Sequence, residues 1–126
     1  MNRCATLVVT SLAFIAGAAD AQIQRPFTAA TLRGEMVVTQ APDITLNGKP
    51  ARLAPGARIR GENNLLQLSG GLTGQRLLVH YTVDPVGLLL NVWILTPEER
   101  AREPWPRTPE QAAAWTFDPS SQTWSR

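Results

Sequence analysis

His80 is the one histidine of the chain, so any imidazole acid, base or metal ligand has to be this residue. An imidazole works as a general base when a carboxylate orients it and a nucleophile lies within hydrogen-bond reach. The sequence offers neither in recognisable form. There is no serine nucleophile elbow, and the nearest carboxylate, Asp84, opens the turn signal Asp84-Pro85-Val86-Gly87, where Asp is favoured for local reasons. His80 itself falls in mid-strand and reads as a histidine on a half-exposed face. The other carboxylates of the strand region are no better placed: Asp43 is also a turn residue, Glu62 lies in a loop, and only Glu35 sits within a strand. No pair is marked out at the controlled separation that glycoside hydrolysis needs. With one histidine and one cysteine, no metal site and no cofactor are expected, and the protein is read as not an enzyme.

Binding chemistry has more to draw on. The basic set holds one Lys, the rest being Arg, and Arg33, Lys49, Arg52, Arg58, Arg60 and Arg76 outnumber the acids of the strand region. Arg58 and Arg60 are two residues apart, so on a strand they point to one face. With Arg52 they form a stripe suited to phosphate, lipid headgroups, polysaccharide groups or an acidic protein surface, the competing reading being a solvated charged face. His80 and Trp93 complete this candidate ligand-binding set. Single-stranded nucleic acid would need aromatic stacking platforms, and between Leu32 and Leu95 there are only Tyr81 and Trp93, so nucleic acid is not an expected partner.

Trp105, Trp115 and Trp124 form a second candidate set, partner-binding, crowded into the C-terminal part of the chain. Large rings of this kind seek burial. Either the tail folds back over an open side of the strand domain, or it docks on a partner. The glycine-rich Ser69-Gly70-Gly71-Leu72-Thr73-Gly74 is not a phosphate loop, because it lacks the Lys-Ser/Thr ending and the following helix. It reads as a tight corner.

The elements that must position these residues begin after an export segment. Met1-Asn2-Arg3 is a short positive start, Leu7 to Ala18 is an apolar run, and Ala19-Asp20-Ala21 has the small residues that a signal peptidase reads. Residues 1–21 are expected to be a signal peptide cleaved between Ala21 and Gln22, an uncleaved anchor being the alternative. Cys4 precedes the apolar run, so it is not placed as a lipid-attachment residue. No segment reaches the ~18 apolar residues of a membrane span. Removal of 21 of the 126 residues leaves 105, without cysteine, in a periplasmic or secreted location. That length suffices for one core and excludes a multidomain enzyme.

Residues 22–31 read as a linker and 32–95 as a run of short strands with turn signals every eight to twelve residues. Leu32 to Thr39 is the first strand. Ile44-Thr45-Leu46 and Lys49 to Leu53 flank Asn47-Gly48, a strong hairpin signal, and Pro50 places that arm at a sheet edge. Ala54-Pro55-Gly56 is expected to turn the chain into a brief Arg58-Ile59-Arg60. Gln75 to Asp84 and Leu88 to Leu95 pair across Asp84-Pro85-Val86-Gly87 in one of two registers. One has Asp84 opposite Leu88; the other has Val83 opposite Leu88 and gathers a wholly apolar face. A bulge near Gly87 reconciles them. Residues 96–126 read as a C-terminal extension, with helix starts at Thr96-Pro97-Glu98-Glu99 (running to about Glu103) and Thr108-Pro109-Glu110-Gln111, then a small strand-turn-strand ending at Trp124.

The strand pair around Asn47-Gly48, then Leu53-Ala54-Pro55-Gly56-Ala57-Arg58-Ile59, Gly74 to Val79 and Val83-Asp84-Pro85-Val86-Gly87, resembles exported bacterial small β-barrel proteins of unknown function. The resemblance covers Leu32 to Leu95 and rests on turn and core residues, so it carries no functional residue over. The expected fold is all-β, a small OB-like or SH3-like barrel of five to six short strands with a short helical C-terminal extension. The expected function is a non-catalytic binding or accessory structural module of the cell envelope, with an envelope protein or an anionic envelope component as partner. Binding of anionic ligands through the arginine face is the alternative, and an enzyme centred on His80 is the third.

Overall fold

A computed structural model describes residues 24–126, so the expected signal peptide and its expected cleavage site lie outside the described residues. The strands are β1 (Leu32–Gln40), β2 (Asp43–Leu46), β3 (Lys49–Arg60), β4 (Leu66–Gln67), β5 (Arg76–Val83), β6 (Leu89–Ile94), β7 (Thr116–Asp118) and β8 (Thr123–Ser125). Two short helices, α1 (Pro97–Ala101) and α2 (Pro109–Ala114), and a 3-10 turn over Ser69–Leu72 complete the elements. The protein is a small all-β domain. Five strands form a ring in the order β1, β2, β3, β6, β5 and back to β1, antiparallel except for β3 with β6. β4 pairs with the far end of β3, and β7 with β8 as a separate hairpin. Among the described residues no helix is long and apolar enough to cross a membrane.

Local chemistry accounts for most of the ring. Asn47 and Gly48 adopt φ of 52° and 81°, as the hairpin turn between β2 and β3 requires. β3 pairs with β2 through Asp43↔Arg52 to Leu46↔Lys49, and its pairing with β6 begins only at Leu53. Pro50 therefore lies where one side of β3 is open, and its missing N–H costs no ladder bond. The inward side chains, among them Met36, Val38, Ile44, Leu53, Ile59, Val79, Leu89 and Val92, fill the ring as one apolar core.

Two sequence expectations are corrected here. Ala54-Pro55-Gly56 does not end a strand: β3 runs through it for 12 residues, with its register against β6 shifting between Leu53 and Arg58 and Gly56 at φ 76°. One strand has to leave β2 and join β6 to close the ring, and an irregularity with glycine in the left-handed region supplies the bend. Between β5 and β6 neither uniform register holds. The Asp84 N–H donates to Leu88 O at 2.8 Å, closing a three-residue loop, and its carboxylate accepts from the N–H groups of Val86 and Leu88. A shift between Thr82 and Val83 follows, giving Tyr81↔Val92 and His80↔Trp93. The irregularity is absorbed near Leu90, which is exposed along with Val83, while Leu89 turns into the core.

The tail starts as its cap residues dictate. Thr96 accepts from the Glu99 N–H, and the Glu99 carboxylate accepts from the Thr96 N–H, a reciprocal capping box that opens α1. The helix stops at Ala101, before the expected Glu103. Thr108 caps α2 by accepting the Gln111 N–H, without the reciprocal bond. From there the chain crosses the outside of the ring. Phe27, Trp105 and Trp124 form a second buried cluster, with Trp93, Trp115 and Phe117 packed against it.

Candidate functional site

The registers of the ring set a row of side chains across its outer surface: Arg33 of β1 opposite His80 of β5, His80 opposite Trp93 of β6, and Trp93 opposite Arg60 of β3. The tail lies over this row. Trp105 stacks on the His80 ring with centroids 4.2 Å apart and planes 27° from parallel, and Phe27 meets the same imidazole edge-on at 4.4 Å. The Trp105 Nε1–H donates to Thr31 O at 3.0 Å, and the Arg33 N–H donates to Pro106 O at 2.8 Å, so the segment is fastened to β1.

His80 is consequently fully buried, not half-exposed as its strand position suggested. Its Nε2 accepts from Arg33 Nε at 3.2 Å, and its Nδ1 has no partner among the described residues. Burial, followed by the nearby guanidinium groups of Arg33, Arg25 and Arg102, pushes the imidazole down to about 2. At neutral pH His80 is an uncharged acceptor that orients Arg33.

Two arginines are buried beneath the tail, and they differ in one respect. Arg25 is ion-paired: Nε donates to Glu99 Oε2 at 3.1 Å, Nη2 donates to Glu99 Oε1, and the remaining bonds go to the carbonyls of Gly61 and Ile94. Arg33 receives only neutral acceptors. Besides His80 it donates through Nη2 to Glu99 O at 2.6 Å and through Nη1 to Arg100 O at 3.3 Å, and among the described residues no carboxylate pairs with it. Burial lowers its pKa to about 10, with the charge of Glu103 opposing, so the group stays cationic at neutral pH.

Arg33 also lines an open cleft of about 460 Å³ between β1 and the tail, together with Glu103, Pro104, Trp105, Arg107, Gln111, Trp115 and Arg126. The Arg126 guanidinium lies over the Trp115 ring, 5.3 Å from its centroid. Three arginines and one carboxylate residue thus line the cleft, the Arg33 side chain being buried behind it. Arginine outnumbers carboxylate in this lining, so its local charge is positive.

The residues singled out from the sequence fall in different places. Arg58 and Arg60 share the outer side of β3, but Arg60 donates to Asn64 O at 3.1 Å, and Arg52, beyond the bend, pairs with Asp43 at 3.1 Å. Arg60, Trp93 and His80 are brought into one row, which Arg52 does not join. Trp105 and Trp124 are buried inside the chain's own second cluster, and Trp115 is half-buried at the cleft. Arg25, Glu99, Arg107, Gln111 and Arg126 were not anticipated, and Arg33 was counted only as one basic residue among several. The available signal was the tryptophan-rich tail, which needed a face to cover; among the described residues His80 and Trp93 give the ring an outward face with aromatic character. No protein-family model, curated protein or solved structure matches the chain.

Proposed function

We propose that this protein is an exported, non-catalytic binding module of the cell envelope, that its five-stranded ring is an OB-like scaffold, and that the cleft between ring and tail binds an anionic ligand. The ring order, with β3 and β6 as its one parallel pair, supports an OB-like reading over an SH3-like one. One observation carries the ligand reading: Arg33 is a buried cation with no carboxylate partner, at an open cleft that Arg107 and Arg126 also line. Buried charges are ordinarily paired, because an isolated one is costly. An anion in the cleft completes the pairing that Arg25 obtains from Glu99. On this reading the anion site is on the tail side of β1 and not along Arg52, Arg58 and Arg60.

Titration of the full exported chain with citrate, followed by tryptophan emission at low and high salt, tests the reading. Saturable binding is expected, weakened by salt and by the double substitution Arg107→Gln with Arg126→Gln, and unchanged in Arg58→Gln. Binding that is absent, or that only Arg58→Gln removes, overturns it.

A further inference from the structure

Resting on the export part of that reading and not on its cleft, we infer that the corner formed by β4 and the end of β3 docks on an anionic lipid surface. Leu65, Leu66 and Leu68 stand within four consecutive residues and are 64%, 64% and 86% exposed. Folded domains seldom leave large apolar side chains so close together in water. Local hydrogen bonds hold them there: the Gly61 N–H donates to Leu65 O at 2.9 Å, the Asn64 N–H donates to Gly61 O at 2.9 Å, and Asn63 Oδ1 accepts from the Leu65 N–H at 3.0 Å. β4 is the terminal strand of its sheet, and neither of its two residues carries the charge that usually guards such an edge.

The charges beside the leucines select the partner. Leu66 pairs directly with Arg60 across β4 and β3, so the two side chains share one face, and Arg58, two positions back along β3, belongs to that face as well. Arg58 is exposed and makes no ion pair among the described residues, and Arg60 donates to Asn64 O alone. Glu62, the one carboxylate of the connecting turn, is taken by Arg100 at 3.1 Å. Leucines that enter the acyl boundary, with guanidinium groups left at the level of anionic headgroups, are the two parts of an interfacial anchor.

A second copy fits this corner poorly. In a two-fold pairing the same patch meets itself, which sets Arg58 and Arg60 against their own counterparts. The entry of the chain favours lipid over a protein partner. Arg25 Nη1 donates to Gly61 O at 2.8 Å, where β3 gives way to the leucine turn. In the sequence the apolar run Leu7 to Ala18 ends seven positions before Arg25, and seven residues span at most about 25 Å. On the export reading that run enters the bilayer as a signal peptide, which holds this corner within reach of lipid until cleavage.

Co-sedimentation of the full exported chain with vesicles of phosphatidylglycerol and phosphatidylcholine, compared with phosphatidylcholine alone, is the test. Binding is expected to be at least about tenfold tighter to the anionic vesicles. It should fall about fivefold in Arg58→Gln, and at least about tenfold in the triple variant Leu65→Ser, Leu66→Ser and Leu68→Ser. A bimane label on Leu66→Cys, in a chain whose one native cysteine, Cys4, precedes Gln22, should shift to the blue with anionic vesicles and reads insertion even if the triple variant fails to fold. Equal binding to both vesicles or to neither, an unshifted label, or binding that survives in the folded triple variant overturns the lipid assignment. A lipid-free dimer that the triple substitution dissolves overturns it in favour of a second copy. Vesicle binding kept in the leucine variant but lost in Arg107→Gln with Arg126→Gln assigns the headgroups to the cleft, which overturns this inference and leaves the anionic reading standing. Mass spectrometry of the protein recovered from cells checks export by itself: a cytoplasmic chain starting at Met1 overturns the export reading and, with it, the argument from chain entry.

Discussion

The Arg33 guanidinium donates through Nε to Nε2 of His80 at 3.2 Å, across the β1 and β5 pairing, so the neutral imidazole carries its proton on Nδ1. A cation and a titratable ring are thereby locked together under Trp105, with protonation of the ring opposed by both its burial and its neighbour.

Acid should therefore destabilise the fold through His80. The unfolded imidazole titrates near 6.5 and the folded one near 2, so between these values the unfolded chain binds a proton that the folded chain excludes. The contribution is fully present above about pH 6.5 and is lost as the pH falls towards 2, by up to about 1.4 kcal/mol per pH unit. Urea unfolding at several pH values between 7 and 3 reads this slope. His80→Gln, which keeps an acceptor for Arg33, should reduce it by one proton; an unchanged slope contradicts the assignment.

Glu99→Gln should be among the more damaging substitutions, because it leaves Arg25 buried without its carboxylate partner. A loss of about 3–5 kcal/mol is expected in chemical denaturation. The exposed Arg52–Asp43 pair provides the contrast, Asp43→Asn costing no more than ~1 kcal/mol. Equal losses at the two pairs would contradict the assignment of Glu99 as the buried counter-ion.

Removal of the tail after Thr96 should abolish folding or solubility, since it deletes Glu99 and uncovers Arg33, His80 and Trp93 together. Trp105→Ala is the milder form and should cost about 3–5 kcal/mol. Solubility and thermal melting of the two variants provide the measurement. A truncated ring that melts as cooperatively as the full chain would show that the tail is an appendage.

Gly34 of β1 leaves little room for a side chain: an added Cβ would lie 2.9 Å from Leu46 Cδ1 and 3.2 Å from Tyr81 Cε1, so both side chains must shift to admit it. Gly34→Ala should destabilise by about 1–3 kcal/mol. Gly70→Ala, with nothing within 4 Å of the added carbon, should be nearly neutral by thermal melting. A neutral Gly34→Ala would mean that the Leu46 and Tyr81 side chains give way at little cost.

What could be read in advance was local. Asn47-Gly48 specifies its turn through two backbone angles, and Thr96 to Glu99 specify a helix start through two hydrogen bonds within four residues. Ala54-Pro55-Gly56 misled because the same residue types serve a turn and a bend inside a strand; only the need to close the ring distinguishes them. The cleft was illegible for a related reason. Arg33 meets the Glu99 carbonyl across 66 positions, and Arg25 meets the Glu99 carboxylate across 74, from a segment with no periodic pattern. Tryptophan content announced that a covering was needed without naming the surface covered.

The surface that receives the tail consists of β1, β5 and β6 side by side, and it does not exist until those strands have paired. Gln122, whose side chain accepts from the Phe27 N–H and donates to the Phe27 carbonyl, closes a contact spanning 95 positions. Contacts of this span form late, since the chain between them must already be ordered to bring the ends near. The tail thus docks last, and until it does the nascent protein displays several unburied indoles, a window in which aggregation competes with completion.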